Sequence, residues 1–278
     1  MKKDKIALLM ILLLLLTVTI QSAGQATAVY GSNNGKYLTI NGTRIYYEEY
    51  GNGIPLLLLH GGFGSINDFK KVIPKLSDSF RIIAPDSPGH GRSEQADTLS
   101  YELLASFFSK MIDLLQLDSV YIIGWSDGGN AALILAADRP EKVKKIVVSG
   151  SNTRLDDSDP GTLNFLKQLN PKYVETTQKD WLTEYIKKSP QKDKWEKFIL
   201  DMQKMWSTKI VVSEPKLAQI KNQILIVLGD RDAIKIEHGI EMLRTIKNSQ
   251  FCVLPNTSHN VFEEQPDLIT QIAINFFF

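Results

Sequence analysis

The stretch Val120-Tyr-Ile-Ile-Gly-Trp-Ser-Asp-Gly-Gly-Asn-Ala-Ala132 decides the fold, because a strand, a tight turn and a helix follow one another within it. Apolar, mostly β-favouring residues run into Gly124-x-Ser126-x-Gly128, and a small-residue helical pattern comes directly after them. The two glycines lack the Cβ that would clash between strand and helix, so the turn lifts the Ser126 hydroxyl clear of the sheet. The five-residue pattern alone occurs by chance in many chains. With a strand before it and a helix after it, we interpret Ser126 as a nucleophile rather than an ordinary turn serine.

Strand-like and helix-like segments alternate on both sides of this stretch. Ile54–Leu59 is continuously apolar, and Gln223–Leu228 is apolar after its first residue, as expected of strands that are buried on both faces. Asn41-Gly42 lies between two segments of alternating polarity and is a two-residue hairpin signal. The alternation predicts an α/β protein whose mostly parallel sheet is flanked by helices, with an antiparallel hairpin at its start.

The alternation stops between residues 152 and 219. This segment is rich in lysine and has helix-like patterns, and it contains three of the four tryptophans, Trp181, Trp195 and Trp206. Because the sheet pattern resumes after it, we predict a helical cap at 152–219 inserted between sheet strands, with a core formed by 29–151 and 220–278. The tryptophans are interpreted as core between the cap and the main domain, and the alternative is that one of them lines the substrate pocket.

Residues 1–28 have the pattern of a secretory signal peptide. Three lysines precede an apolar run at 6–16, and small residues ending in Ala26-Thr27-Ala28 follow it. The run is short for a membrane span, which needs about 20 apolar residues. We therefore predict a secreted or extracytoplasmic protein. The alternatives are an uncleaved segment that tethers the protein to a membrane and a helix that is buried in the core.

The composition excludes several classes of function. Lys and Arg number 32 against 31 Asp and Glu, and the formal net charge is +1, so no nucleic-acid partner is predicted. The single cysteine, Cys252, cannot form an intrachain disulfide, and the core alone must stabilise an exported protein. The sequence contains no cluster of metal-ligating residues and no phosphate-cradling loop, so no metal and no cofactor is predicted.

A serine hydroxyl needs a base that takes its proton and an acid that orients the base. The chain has four histidines. His60 and His90 lie in glycine-rich turns before the nucleophile, and His238 begins a helix where we expect it to be solvated. His259 follows the last predicted strand, and a loop at the carboxyl edge of the sheet would carry it over the serine. We predict His259 as the general base.

Two carboxylates follow the buried strand that ends at Leu228. Asp232 lies further into the loop, where its side chain can reach the histidine, whereas Asp230 at the turn is expected to accept hydrogen bonds from its own backbone. We favour Asp232 as the orienting acid, with Asp230 as its rival.

The oxyanion of the reaction needs backbone N–H donors. The amide of Asp127 follows the nucleophile at a helix N-terminus, where the helix dipole favours negative charge. The second donor is expected from the turn His60-Gly61-Gly62-Phe63, whose glycines allow a close approach of the backbone. We assign it to the Phe63 amide.

Five motifs together resemble the α/β-hydrolase superfamily, and they occur in the family's order. They are His60-Gly61-Gly62, Asp86-Ser-Pro-Gly-His-Gly-Arg-Ser93, Gly124-Trp-Ser-Asp-Gly-Gly129, Gly229-Asp-Arg-Asp232 and Ser258-His259. The resemblance implies an α/β-hydrolase fold with a helical cap and a triad in the chain order Ser126, Asp232, His259. The sequence is similar to the capped branch of carbon–carbon bond hydrolases, esterases and cofactor-free haloperoxidases.

Within that branch, the motif around Ser126 looks most like that of the valacyclovir hydrolase-like (biphenyl hydrolase-like) esterases. In those enzymes the aspartate after the nucleophile holds a substrate amino group. The resemblance therefore implies a substrate-binding role for Asp127, and a helix-start aspartate that only favours the helix is the alternative. We place Gly62 and Trp125 beside it at the substrate.

These observations predict a serine hydrolase that cleaves small carboxylic esters, amides or thioesters through an acyl-enzyme, in the manner of a carboxylesterase. One alternative is a cofactor-free haloperoxidase or perhydrolase, which uses the same triad. Another is a non-catalytic ligand-binding or signalling module on the same fold. Serine at position 126 argues against dehalogenases and epoxide hydrolases of this fold, which have an aspartate there.

Overall fold

The computed structural model describes residues 30–31 and 35–278, so the predicted signal segment at 1–28 lies outside the described residues. Eight strands form one sheet in the order β1-β2-β4-β3-β5-β6-β7-β8. The strands are β1 (Lys36–Ile40), β2 (Thr43–Tyr50), β3 (Ile54–Leu59), β4 (Phe80–Pro85), β5 (Val120–Trp125), β6 (Val143–Ser149), β7 (Gln223–Gly229) and β8 (Ser249–Leu254). None of the helices in the described part of the chain has the length and hydrophobicity that crossing a bilayer requires.

The sheet is parallel except at its beginning. β1 pairs antiparallel with β2 and β2 antiparallel with β4, while every later pairing is parallel. Asn41 and Gly42 both have positive φ, at 51° and 82°, as a two-residue hairpin turn that matches the strand twist requires. The predicted α/β fold, with a mostly parallel sheet and an initial hairpin, is confirmed.

Helices cover both faces of the sheet, and for this reason its central strands are apolar on both faces. The α-helices are α1 (Ile73–Leu76), α2 (Tyr101–Leu114), α3 (Asp127–Asp138), α4 (Pro160–Gln168), α5 (Pro171–Thr177), α6 (Lys179–Lys188), α7 (Trp195–Trp206), α8 (Glu214–Ala218), α9 (Ile236–Thr245), α10 (Val261–Glu264) and α11 (Pro266–Phe277). Leu56 to Leu59 on β3 are fully buried between the two layers.

Two helical segments are divided by short turns at a proline. A 3₁₀ turn at Ile66–Phe69 comes before α1, and Pro74 lies at the start of α1, where its missing N–H is tolerated. At the C-terminal end, α10 and α11 are separate helices because Pro266 cannot donate a helical hydrogen bond.

The segment between β6 and β7 carries helices α4 to α8. Their inward side chains belong to the same apolar cluster as the helices on one face of the sheet, among them Val174, Phe198, Met202 and Met205, which are at most 2% exposed. The segment therefore packs on the sheet domain and has its apolar core in common with it. A cap function for this segment stays a prediction, and the word cap is used only as a label for residues 152–219.

Candidate active site

Ser126 lies at the turn between β5 and α3. Its φ is 52° and its ψ is −117°, a conformation that residues other than glycine rarely adopt. A Cβ on Gly124 would lie 2.7 Å from the Gly128 carbonyl oxygen, and one on Gly128 would lie 2.1 Å from the Leu59 carbonyl oxygen. Both glycines are therefore required by the close approach of α3 to β5 and β3, and this approach holds the serine in its strained conformation.

His259 and Asp232 are hydrogen-bonded, with 2.7 Å between Nδ1 of His259 and Oδ1 of Asp232. The Asp232 side chain is fully buried, whereas the imidazole is 27% exposed. Because an ionised carboxylate only accepts hydrogen bonds, Nδ1 carries the proton and the lone pair of Nε2 is left for the serine proton. Ser126 and His259 line the same cavity.

Asp230, at the same sheet edge, binds the backbone of the loop and not the His259 side chain. Its carboxylate is exposed and its Oδ1 accepts the amide of Thr257 at 3.0 Å, in the loop that carries His259. The structure thus joins His259 to Asp232, and Asp230 shapes the loop before the histidine. The Trp125 indole donates to the carbonyl oxygen of His259 at 2.9 Å, which fixes the other side of that loop.

The His60–Phe63 turn lies directly against Ser126. A Cβ built on Gly61 would be 3.1 Å from the Ser126 Cβ, and both Gly61 and Gly62 line the cavity. The Phe63 amide, however, donates to Nε2 of His90 at 3.2 Å. The prediction that this amide stabilises the oxyanion is therefore not supported, because its proton already has an acceptor.

The cavity that Ser126 and His259 line has a volume of about 320 Å³. Its lining combines the sheet edge with helix α4 and the end of α7, which belong to the cap. The lining residues are Gly61, Gly62, Tyr101, Trp125, Ser126, Asp127, Asn152, Leu155, Ser158, Thr162, Phe165, Leu166, Trp206, Ala233, Ile234, His259 and Asn260. Among these described residues there is no lysine and no arginine.

Asp127 presents a buried carboxylate to this cavity. Its Oδ1 accepts the Tyr101 hydroxyl at 3.2 Å, and its Oδ2 accepts the Trp206 indole N–H at 2.7 Å. Burial raises the pKa of Asp127 to about 6, and the hydrogen bonds from Trp206 and Tyr101 act in the opposite direction. A Cβ on Gly62 would lie 2.5 Å from Oδ2, so only glycine leaves room for the carboxylate here.

Comparison with known proteins shows the family to which the chain belongs. The sequence model of the alpha/beta hydrolase fold family matches residues 54–196. The chain belongs to the α/β-hydrolase fold family. This confirms the resemblance inferred from the five motifs, and the described sheet and its flanking helices are those of an α/β-hydrolase.

Two relatives and one solved structure show what this α/β-hydrolase is similar to. The human serine hydrolase BPHL is 28% identical, over 93% of this chain and 91% of its own length. A 2-hydroxy-6-oxo-6-phenylhexa-2,4-dienoate hydrolase from Burkholderia cepacia is 26% identical, over 90% of this chain and 98% of its own length. A solved meta-cleavage product hydrolase from Pseudomonas fluorescens has the same fold, with a TM-score of 0.73 at 23% identity, covering 87% of this chain and 97% of that one.

His60 and His90 hold loops together in this α/β-hydrolase and stay uncharged. Burial lowers the pKa of both histidines, that of His90 to about 3. Nε2 of His60 accepts the Ser87 amide at 2.9 Å, as Nε2 of His90 accepts that of Phe63. Both rings are therefore hydrogen-bond acceptors that tie the loop after β4 to the turn after β3.

The expectation that His238 is solvated is wrong. The ring is 2% exposed, its Nε2 accepts the Thr153 amide at 3.1 Å, and its Nδ1 lies 3.0 Å from Oδ2 of Asp157. With Glu241, these side chains bring three ligand-type atoms within 4.8 Å of one another. Because Nε2 of His238 is an acceptor, the proton of the ring is on Nδ1, which is the atom that a metal would need. In addition, the Arg154 guanidinium already donates to the carboxylates of Asp157 and Glu241. The cluster therefore fits a hydrogen-bonded ion-pair network, buried at His238 and Asp157 and exposed at Arg154 and Glu241, and not a metal site.

Proposed function

We propose that this α/β-hydrolase cleaves small carboxylic esters, and related amides or thioesters, through an acyl-enzyme on Ser126. The observation that carries the proposal is the 2.7 Å hydrogen bond between His259 and the buried Asp232. His259 lines the same cavity as Ser126, whose backbone is strained. A nucleophile, a base and an orienting acid at one cavity are the parts that acyl transfer needs.

The reaction proceeds in two halves. Ser126 Oγ attacks the ester carbonyl while Nε2 of His259 takes its proton, and the imidazolium then gives this proton to the leaving alcohol. Water repeats the sequence on the acyl-enzyme and releases the acid. Asp232 holds the imidazole in the required tautomer and stabilises the imidazolium.

Two amides supply the oxyanion site in this proposal. The Asp127 amide is at the N-terminus of α3, and the amide of Gly62 replaces that of Phe63 as the second donor. Gly62 lies on the cavity wall in the turn that contacts Ser126, whereas the Phe63 amide is held by His90. Loss of one such donor typically lowers the rate by about 100-fold to 1,000-fold.

The charges in the cavity favour a neutral or cationic substrate. The Burkholderia cepacia relative acts, by its name, on a dienoate, which carries a carboxylate. Here the described cavity lining offers no lysine or arginine to such a group, and Asp127 would repel it. This contrast supports an ester over a carbon–carbon cleavage substrate of that kind.

Wild-type protein mixed rapidly with p-nitrophenyl acetate is expected to release a burst of p-nitrophenol equivalent to the enzyme concentration. The acyl-enzyme forms with release of one leaving group per site before hydrolysis limits turnover. Peptide mass analysis after acid quench should place the acetyl group on Ser126. No turnover, combined with no labelling by a fluorophosphonate, would reject the esterase and leave a ligand-binding module.

Changing Asp127 to asparagine is expected to lower kcat/KM for an α-amino ester about tenfold relative to the matched neutral ester. Each carboxylate oxygen keeps a lone pair beyond its bond to Tyr101 or Trp206, so an ammonium group can still bind. The asparagine oxygen can accept the Trp206 indole N–H and its NH2 group can donate to the Tyr101 hydroxyl oxygen, so both contacts are kept while the charge is lost. The measurement is the ratio of the two kcat/KM values in wild type and variant.

The ratio of kcat/KM for the α-amino ester to kcat/KM for the neutral ester should depend on pH in the wild type and not in Asp127→Asn. Asp127 must be ionised to bind an ammonium group, and its pKa is about 6, so the ratio should rise as the pH increases from 5 to 7. Effects of pH on the acyl-transfer steps act on both esters alike and cancel in the ratio. An equal loss on both esters in Asp127→Asn would contradict the amine-binding role.

A further inference from the structure

Three of the four tryptophans donate their indole N–H to residues of the candidate site. Trp125 donates to the carbonyl oxygen of His259 at 2.9 Å. The other two belong to the cap: Trp181 on α6 donates to the carbonyl oxygen of Phe63 at 2.7 Å, and Trp206 at the end of α7 donates to Oδ2 of Asp127 at 2.7 Å. The cap thus makes one directional bond to each of the two segments that carry the oxyanion donors.

The first segment is the turn that contains Gly62. Phe63 follows it with a φ of 58°, a left-handed conformation that a bulky residue adopts only when its surroundings impose it. Its amide is held by His90 and its carbonyl by Trp181. Its ring contacts Trp181 at 4.5 Å and Trp206 at 4.8 Å between ring centroids. The cap therefore holds both the carbonyl and the ring of the residue next to the proposed Gly62 donor.

The second segment is the start of α3, where Asp127 supplies the other amide. The Asp127 carboxylate is fixed to the cap by Trp206. The same indole also lies against the opposite segment, since a Cβ on Gly62 would be 2.1 Å from Cζ2 of Trp206. Trp206 thus contacts both sides of the space in which the oxyanion forms.

We propose that Trp181 and Trp206 are positioning residues that set the two halves of the oxyanion site, which makes the cap part of the catalytic apparatus and not only a cover over the substrate. The proposal rests on the proposed serine hydrolase function. Donors at an oxyanion site act only when they are held within a few tenths of an ångström of their productive positions. Because the cap fixes these positions, its hydrogen bonds stabilise the transition state without contacting the reacting atoms.

The test replaces each indole by a side chain without the N–H. Trp181→Phe and Trp206→Phe keep an aromatic ring, and Trp195→Phe is the matched control. Trp195 lies in the same cap, at the start of α7, but it is outside the cavity lining, and no hydrogen bond from its indole nitrogen is found in the described part of the chain. We expect kcat for p-nitrophenyl acetate to fall about tenfold in each of the first two variants, KM to change less than about twofold, and Trp195→Phe to behave as wild type.

A trifluoromethyl ketone separates positioning from general packing. Ser126 Oγ adds to its carbonyl carbon, the π electron pair becomes the oxyanion, and the serine proton passes to His259. Its Ki should rise about tenfold in the two variants, in proportion to the fall in kcat, while the Ki of an unreactive amide of the same shape stays constant. Wild-type values of kcat and ketone Ki in both variants would overturn the proposal, as would equal losses in Trp195→Phe.

Two further outcomes are distinguishable. If wild type neither turns over the ester nor reacts with a fluorophosphonate, the hydrolase function fails and the positioning role fails with it. If wild type reacts and the variants react equally fast, only the positioning role fails. Should a phenylalanine variant not fold, 3-benzothienylalanine at the same position keeps the bicyclic ring and removes only the N–H, and the same tenfold effects are expected.

Discussion

Replacing Ser126 with alanine is expected to lower kcat for p-nitrophenyl acetate by more than about 10,000-fold and to abolish the burst. The variant has no nucleophile, so the acyl-enzyme cannot form, and only the residual assistance of the oxyanion donors remains. The stability of the protein should change little, because the serine side chain makes no capping hydrogen bond to α3 and alanine adopts the same strained φ at a similar cost. Stopped-flow absorbance and a thermal denaturation curve measure the two quantities.

The control for this variant is Ser158→Ala. Ser158 is the other serine in the cavity lining, on the cap side of the cavity. We expect this variant to keep a full burst and turnover within about threefold of wild type. A full burst in Ser126→Ala, or its loss in Ser158→Ala, would show that the nucleophile is assigned incorrectly and contradict the mechanism above.

Local sequence signals were sufficient wherever neighbouring residues decide the structure. The turn at Ser126 is fixed by Gly124 and Gly128, whose missing side chains allow the close approach of strand and helix. The pairing of His259 with Asp232 also follows from topology, because both residues follow the carboxyl ends of adjacent parallel strands, β8 and β7. The carboxyl ends of parallel strands meet at one sheet edge, and there a candidate site can be assembled from the sequence.

Sequence reasoning failed where the partner comes from a distant segment. The acceptor of the Phe63 amide is His90, 27 residues later in another loop. The burial of His238 depends on Asp157 and Thr153, which lie in the irregular segment after β6. The pattern of apolar and polar residues along the chain does not predict these contacts, because they depend on how the loops cross the sheet edge. The same holds for the cap, where the positions of Trp181 and Trp206 over the site follow from its packing alone.

Changing Asp232 to asparagine is expected to lower kcat about 10,000-fold, and changing Asp230 to asparagine should alter it less than about threefold. Asp232 is the buried partner of His259 Nδ1, and its Oδ1 also accepts the Ile234 amide at 3.0 Å. An asparagine amide can donate to Nδ1, which selects the tautomer with the proton on Nε2, so that His259 can no longer accept the proton of Ser126.

The two carboxylates form a matched pair, since both follow β7 and both face the loop that carries His259. The Asp230→Asn variant keeps a side-chain oxygen that accepts the Thr257 amide, so the loop and the orientation of His259 are preserved. The proton between His259 and Asp232 offers a second readout, because its downfield NMR resonance should disappear in Asp232→Asn and persist in Asp230→Asn. If the large loss in kcat occurred in Asp230→Asn instead, the acid would be the exposed carboxylate, and the burial of Asp232 would have to be explained by loop stability alone.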